Sequence, residues 1–100
     1  MRKLVIRPQA QLDIEEASSW YEGRRPGLGL RLLDELDDVL KRITSVPVQF
    51  PVIHPRIRRA LLNRFPYSVY FSASDEDVGV IAVLHQSRHP DAWRRRVLAE

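Results

Sequence analysis

A chain of 100 residues is the size of one ordinary domain, and an apolar fraction of 44% supports a real but small core. The absence of cysteine excludes a disulfide framework and any thiolate metal site, and fits a reducing compartment such as the cytoplasm. The net charge of +3 arises in the second half: residues 1–50 hold eight basic and eight acidic side chains, residues 51–100 eight arginines against five acids.

Lys3 to Arg7, "KLVIR", reads as a short strand. Pro8 suits the first position of a helix, where its missing N–H costs nothing. Ala10, Ile14, Ala17 and Tyr21 then fall on one helical face, which predicts a helix from Pro8 to Glu22. "GRRPGLG", residues 23–29, breaks it. A second helix follows, with Leu32, Leu33, Leu36, Val39, Leu40 and Ile43 as its apolar stripe and Asp34, Glu35, Asp37 and Asp38 facing out. The short link predicts an antiparallel helical hairpin.

The second helix stops before Pro47, and "VPVQFPVIHP" reads as a proline-rich connection. Arg56 to Leu62 is a candidate strand. Phe65-Pro66-Tyr67 turns the chain. Ser68 to Ala73 and Val78 to Leu84 form a hairpin around "SDED", the second strand apolar on both faces as a covered central strand requires. Pro90 opens a short helix over Asp91–Leu98. No apolar run reaches membrane-span length, and Met1-Arg2-Lys3 leads into only three apolar residues, which argues against a signal peptide. The expected architecture is α+β, one domain over residues 1–100: a small, twisted, mostly antiparallel sheet with a two-helix hairpin on one face, in the order β-α-α-β-β-β with a short C-terminal helix.

The sequence is poorly supplied for metal chemistry, and no metal or other cofactor is expected. Its histidines are His54, His85 and His89; the last two are four apart, but Pro90 disfavours the helix that would align them. Ser68, Ser72, Ser74 and Ser87 lack a nucleophile-elbow setting, and there is no phosphate loop.

RNA cleavage needs a proton acceptor, a proton donor and cations for the crowded phosphorane. Arg56, Arg58, His85, Arg88 and His89 are candidate catalytic groups of that kind if they share one groove. Strand alternation puts Arg56 and Arg58 on one face and Arg59 on the other. Arg59, Arg64, Trp93 and the run Arg94-Arg95-Arg96 are candidates for contacting a macromolecular target or nucleic acid, with Trp93 as a stacking platform. Each has a plainer alternative. The strand arginines can be the charged face of an edge strand, Trp93 a core anchor for the last helix, and the arginine run a solvated surface.

Three stretches carry a resemblance: Pro26-Gly27-Leu28-Gly29 in the helical hairpin; Phe65-Pro66-Tyr67 with Val69 and Tyr70; and Val83-Leu84-His85 followed by Arg88, Pro90 and Trp93. In this order, over Val5 to Arg96, the chain resembles the RelE/ParE toxin superfamily of type II toxin–antitoxin modules, and in particular its ParE-like, plasmid-stabilisation members. The resemblance implies the same strand–helix–helix–three-strand core and a cognate antitoxin that wraps the toxin in a hetero-oligomer. It implies one of two targets. RelE-like members cut mRNA on the ribosome with basic residues borne on strands and a C-terminal tyrosine or histidine. ParE-like members poison DNA gyrase and cut nothing themselves. Here the C-terminal aromatic is Trp93, which cannot pass a proton as tyrosine can, and no lysine follows Lys41. Both departures favour the gyrase reading over the ribonuclease. A degenerate module kept only for binding is the third possibility.

Overall fold

A computed structural model describes residues 2–99. Its elements are β1 (Lys3–Ile6), α1 (Pro8–Arg24), α2 (Leu28–Ser45), a 3₁₀ turn (Pro47–Gln49), β2 (Val52–His54), β3 (Ile57–Leu61), β4 (Tyr67–Ala73), β5 (Asp77–His85) and α3 (Asp91–Leu98). The strands form one sheet in the order β1-β5-β4-β3-β2. β1 runs parallel to β5, and the other pairings are antiparallel. The α+β class and the helical hairpin are as expected, but the sheet has an extra edge strand. The "VPVQFPVIHP" stretch is not merely a connection. It holds the 3₁₀ turn and then β2, three residues between Pro51 and Pro55. An edge strand this short tolerates flanking prolines because one of its sides needs no ladder partner.

The hairpin is built by the predicted stripes. Ala10, Ile14 and Ala17 of α1 and Leu32, Leu36, Val39, Leu40 and Ile43 of α2 are buried. Leu33, assigned to the stripe by periodicity, is instead exposed. Glu35, expected to face out, turns toward the β3–β4 loop. Its carboxylate accepts hydrogen bonds from Asn63 N at 2.6 Å and Arg64 N at 3.1 Å.

The "PGLG" link has a physical reason for each glycine. Gly27 sits at φ 89°, a left-handed conformation that glycine adopts without strain. Gly29 lies where α2 passes close against α1, and a Cβ there would stand 2.5 Å from Ser18 O. The Glu22 carboxylate, at the end of α1, accepts from Gly27 N at 2.9 Å and Gly29 N at 3.0 Å. It thereby satisfies free N–H groups at the start of α2, where negative charge is also favoured.

The sheet separates two apolar layers. On one side the hairpin packs on Val69, Phe71, Val78, Val80 and Val83. On the other, α3 places Trp93 against Tyr70, Ile81, Ala82 and Leu84. β5 is thus covered on both faces, as its unbroken apolar run predicts. Register slips by one within β5: Tyr70 faces Ala82 but Phe71 faces Val80, which leaves Ile81 as the extra residue of a bulge. Ile81 and Ala82 consequently both join the α3-side layer.

Candidate target-binding surface

The candidate residues do not converge on one groove. They fall into four places set by the topology.

The first is a groove of about 700 Å³ where β5, β4 and β1 meet the turn before β3. Arg7, Arg56 and Arg58 line it, with Ser72, Ser74 and Gly79. Arg58 lies opposite Phe71 in register, and its Nη1 donates to Phe50 O at 2.7 Å, which fixes the guanidinium. Arg56 is in the tight turn after Pro55 at φ 67°, the one non-glycine residue with positive φ among those described. For a side chain with a Cβ that conformation costs about 1–2 kcal/mol. Ser74 Oγ accepts from Asp77 N at 3.1 Å and closes the β4–β5 turn at the end of the groove. Arg59 pairs in register with Tyr70 and so belongs to the opposite face from Arg58, as alternation predicts.

The second place is a pocket of about 320 Å³ at the other end of the β4–β5 hairpin. His85 and Arg88 line it together with Glu16, Trp20 and Tyr67. His85 Nδ1 accepts from Ser87 N at 3.0 Å and lies 2.8 Å from Ser87 Oγ. The His85 ring meets Tyr67 edge-on, centroids 5.3 Å apart. Burial raises the Tyr67 phenol above its ordinary pKa, and the neighbouring Tyr21 and Glu16 add to the rise. Trp20 is 54% exposed, with the Arg24 guanidinium 4.4 Å from its ring centroid. His89 stands outside this pocket, exposed, its Nδ1 accepting from Asp91 N at 3.1 Å.

Arg64 occupies a third depression, between α2 and the β3–β4 loop, among Arg31, Arg42, Asp34 and Asp38. The mixed charges there offer no single sign of field.

The fourth is α3. Trp93 was a candidate stacking platform, but it is 8% exposed and stacked on Tyr70, centroids 5.7 Å apart at 17°. It anchors α3 and has no free face for a base. Arg94 and Arg95 are exposed, with Arg94 lying over the Trp93 ring. Arg96 does not join them on the surface. It is paired with Asp13 of α1, Nη1 to Oδ2 at 2.8 Å and Nη2 to Oδ1 at 3.0 Å.

The separation between the first two places is large. Tyr67 pairs with His85 at one end of the hairpin, and Ser72 with Gly79 near the other. Five residues of strand span roughly 16 Å. The expectation of a single groove shared by Arg56, Arg58, His85 and Arg88 is therefore corrected: twist and register place the strand-borne arginines and the histidine at opposite ends. Tyr67, Glu16, Trp20 and Arg7 were not foreseen as surface-site residues. Only Arg7, directly after the first strand, gave a local signal. Among the described residues no three histidine or acidic side chains gather closely enough to hold a metal ion. No helix among them is long and apolar enough to cross a membrane.

Comparison with known proteins places this architecture. The profile of the family described as "ParE toxin of type II toxin-antitoxin system, parDE" matches residues 4–90. Toxin ParE2 of Mycobacterium tuberculosis, in strains CDC 1551 / Oshkosh and ATCC 25618 / H37Rv, is 32% identical over 92 residues, 91% of this chain and 88% of that protein. A solved structure of the chromosomal ParDE TA system from P. aeruginosa superposes with a TM-score of 0.74 at 20% identity, over 85% of this chain and 96% of that one, a likeness of fold. Fold and sequence together define the class, the toxins of type II toxin–antitoxin systems. Within it, the chain belongs to the ParE toxin family.

Proposed function

We propose that this chain arrests growth by binding and inhibiting DNA gyrase, performs no phosphodiester chemistry itself, and is neutralised by a cognate antitoxin. The observation that supports the choice of target is the separation of the strand-region arginines Arg56 and Arg58 from His85. A ribonuclease needs its proton-transfer groups and its phosphorane-stabilising cations within hydrogen-bond reach of one phosphate. Arg56 and Arg58 line one groove, and His85 and Arg88 a different pocket. A non-catalytic inhibitor has no such requirement. Gyrase as target also makes the cytoplasm the site of action.

The antitoxin reading draws on the family and on exposed apolar side chains. Leu12, Trp20 and Leu30 on the helical hairpin are each more than half exposed. A partner that covers such surface stabilises the toxin by mass action. Induced expression should arrest growth and relax a reporter plasmid, and co-expression of the neighbouring gene product should restore both. Arrest without any change in plasmid topology would reject gyrase. No arrest at all would leave the degenerate binding module.

One observation favours the ribonuclease as a second reading: His85, Arg88, Tyr67 and Glu16 share one small pocket. Under that reading, mRNA 5′ ends appear at ribosome-bound codons on induction, and His85→Ala abolishes them in a folded protein.

A further inference from the structure

The groove beneath the β2–β3 turn has a construction that gyrase inhibition does not explain. Arg58 is held by Phe50 O through one nitrogen, at 2.7 Å, and its remaining N–H groups have no partner among the described residues. Arg56 is exposed, forms no ion pair among those residues, and is presented from a left-handed backbone that arginine rarely adopts. Both arginines line the same groove as Arg7, Ser72 and Ser74. Asp77, the one carboxylate among the lining residues, is within 3.1 Å of Ser74 Oγ. Gly79 also lines the groove, and a Cβ there would lie 3.4 Å from Ser72 Oγ and 3.9 Å from Arg7 Nε.

The geometry points to a site for the phosphodiester backbone of nucleic acid, bound without regard to sequence. Guanidinium forks and hydroxyls match phosphate oxygens. Acidic peptides offer carboxylates to the same forks, but peptide segments gain their affinity from aromatic or aliphatic anchors in pockets. The apolar lining here is limited to Val5, Val52, Ala73 and Val78, with no aromatic ring. The same lack of a ring removes base stacking, so contact rests on charge. This property goes beyond the proposed inhibition of gyrase and stands whichever enzyme is the target.

The test is fluorescence anisotropy of a labelled 20-base-pair duplex titrated with the purified chain at 50 and 200 mM NaCl. Two phosphate contacts give a log–log salt slope of about −1.8, or about 12-fold weaker binding at the higher salt. Arg56→Gln should reduce that slope by about 0.9, and the Arg56→Gln/Arg58→Gln pair should remove most of the binding. Because Arg58 also holds Phe50, a second variant, Gly79→Asp, places a negative charge beside Ser72 and Arg7 in the groove, leaves Arg56 and Arg58 in place, and should weaken binding at least tenfold. The pair Arg31→Gln/Arg42→Gln, which removes the same charge from α2, should leave binding within about twofold. Absence of binding at low salt overturns the proposal, as does binding that survives Arg56→Gln/Arg58→Gln and Gly79→Asp in chains with unchanged circular dichroism. Displacement of the duplex by an equally charged glutamate peptide at equal or lower concentration assigns the groove to protein carboxylates and overturns it too.

Discussion

Asp13 and Arg96, 83 residues apart, form a two-pronged ion pair at the β5 bulge, with side chains only 11% and 16% exposed. The pair completes the backbone hydrogen bonding there. The same Asp13 carboxylate accepts Val83 N–H at 3.0 Å, and the same Arg96 guanidinium donates to Ile81 O at 3.1 Å. A bulge interrupts its ladder, and buried backbone groups left without partners are costly. One ion pair thus ties α1, β5 and α3 together.

Removing one member should therefore be expensive. Arg96→Ala leaves a largely buried carboxylate and an unpartnered carbonyl, and is expected to lose about 3 kcal/mol in urea unfolding. Asp13→Ala should cost a similar amount. A double-mutant cycle should give a coupling energy above about 1 kcal/mol. Additive losses would mean that the two side chains act separately.

Gly29→Ala tests the close approach of the helices. Alanine gains about 1 kcal/mol of helix propensity over glycine. Against this, the new methyl would meet Ser18 O at 2.5 Å. Forced backbone shifts of this kind cost about 1–3 kcal/mol. A net loss of up to about 2 kcal/mol is expected, and a rise in stability would show that the hairpin has room.

Arg56→Gly should move stability the other way. Glycine relieves the left-handed strain at φ 67°. A gain of about 1 kcal/mol corresponds to a rise in Tm of about 4–8 °C in a domain of this size. A fall in Tm would mean that the arginine side chain contributes more than its backbone costs.

Tyr67 sets a pH dependence at the alkaline end. Burial raises its folded pKa above the unfolded value near 10, so the folded state holds the phenolic proton more tightly. Its contribution is fully present below the unfolded pKa and is lost as pH rises through the folded one. Spectrophotometric titration should show one tyrosine ionising later than free phenol, and Tyr67→Phe should remove it together with part of the alkaline loss of stability. Ionisation of every tyrosine at the ordinary value would contradict this.

Local patterns made the hairpin and the central strand legible. Ala10, Ile14 and Ala17 follow a helical period, and β5 is a continuous apolar run because both faces are covered. Trp93 as an anchor was one of two open readings, and its stack on Tyr70 decides between them. What escaped was non-local. β2 is too short to show a period between its prolines. The grouping of the arginines depends on strand register and on one extra residue at Ile81, which no window of sequence reveals. Arg96 looks like the last of three surface arginines until α3 packs and brings it to Asp13.

The action proposed for this ParE-family chain, inhibition by binding without cutting, has a direct biochemical readout. Supercoiling of a relaxed plasmid by purified gyrase, with the chain titrated to saturation, tests it most directly. A chain that inhibits gyrase by binding should abolish supercoiling and let gyrase-cleaved linear DNA accumulate. Undiminished supercoiling at saturating protein would contradict it.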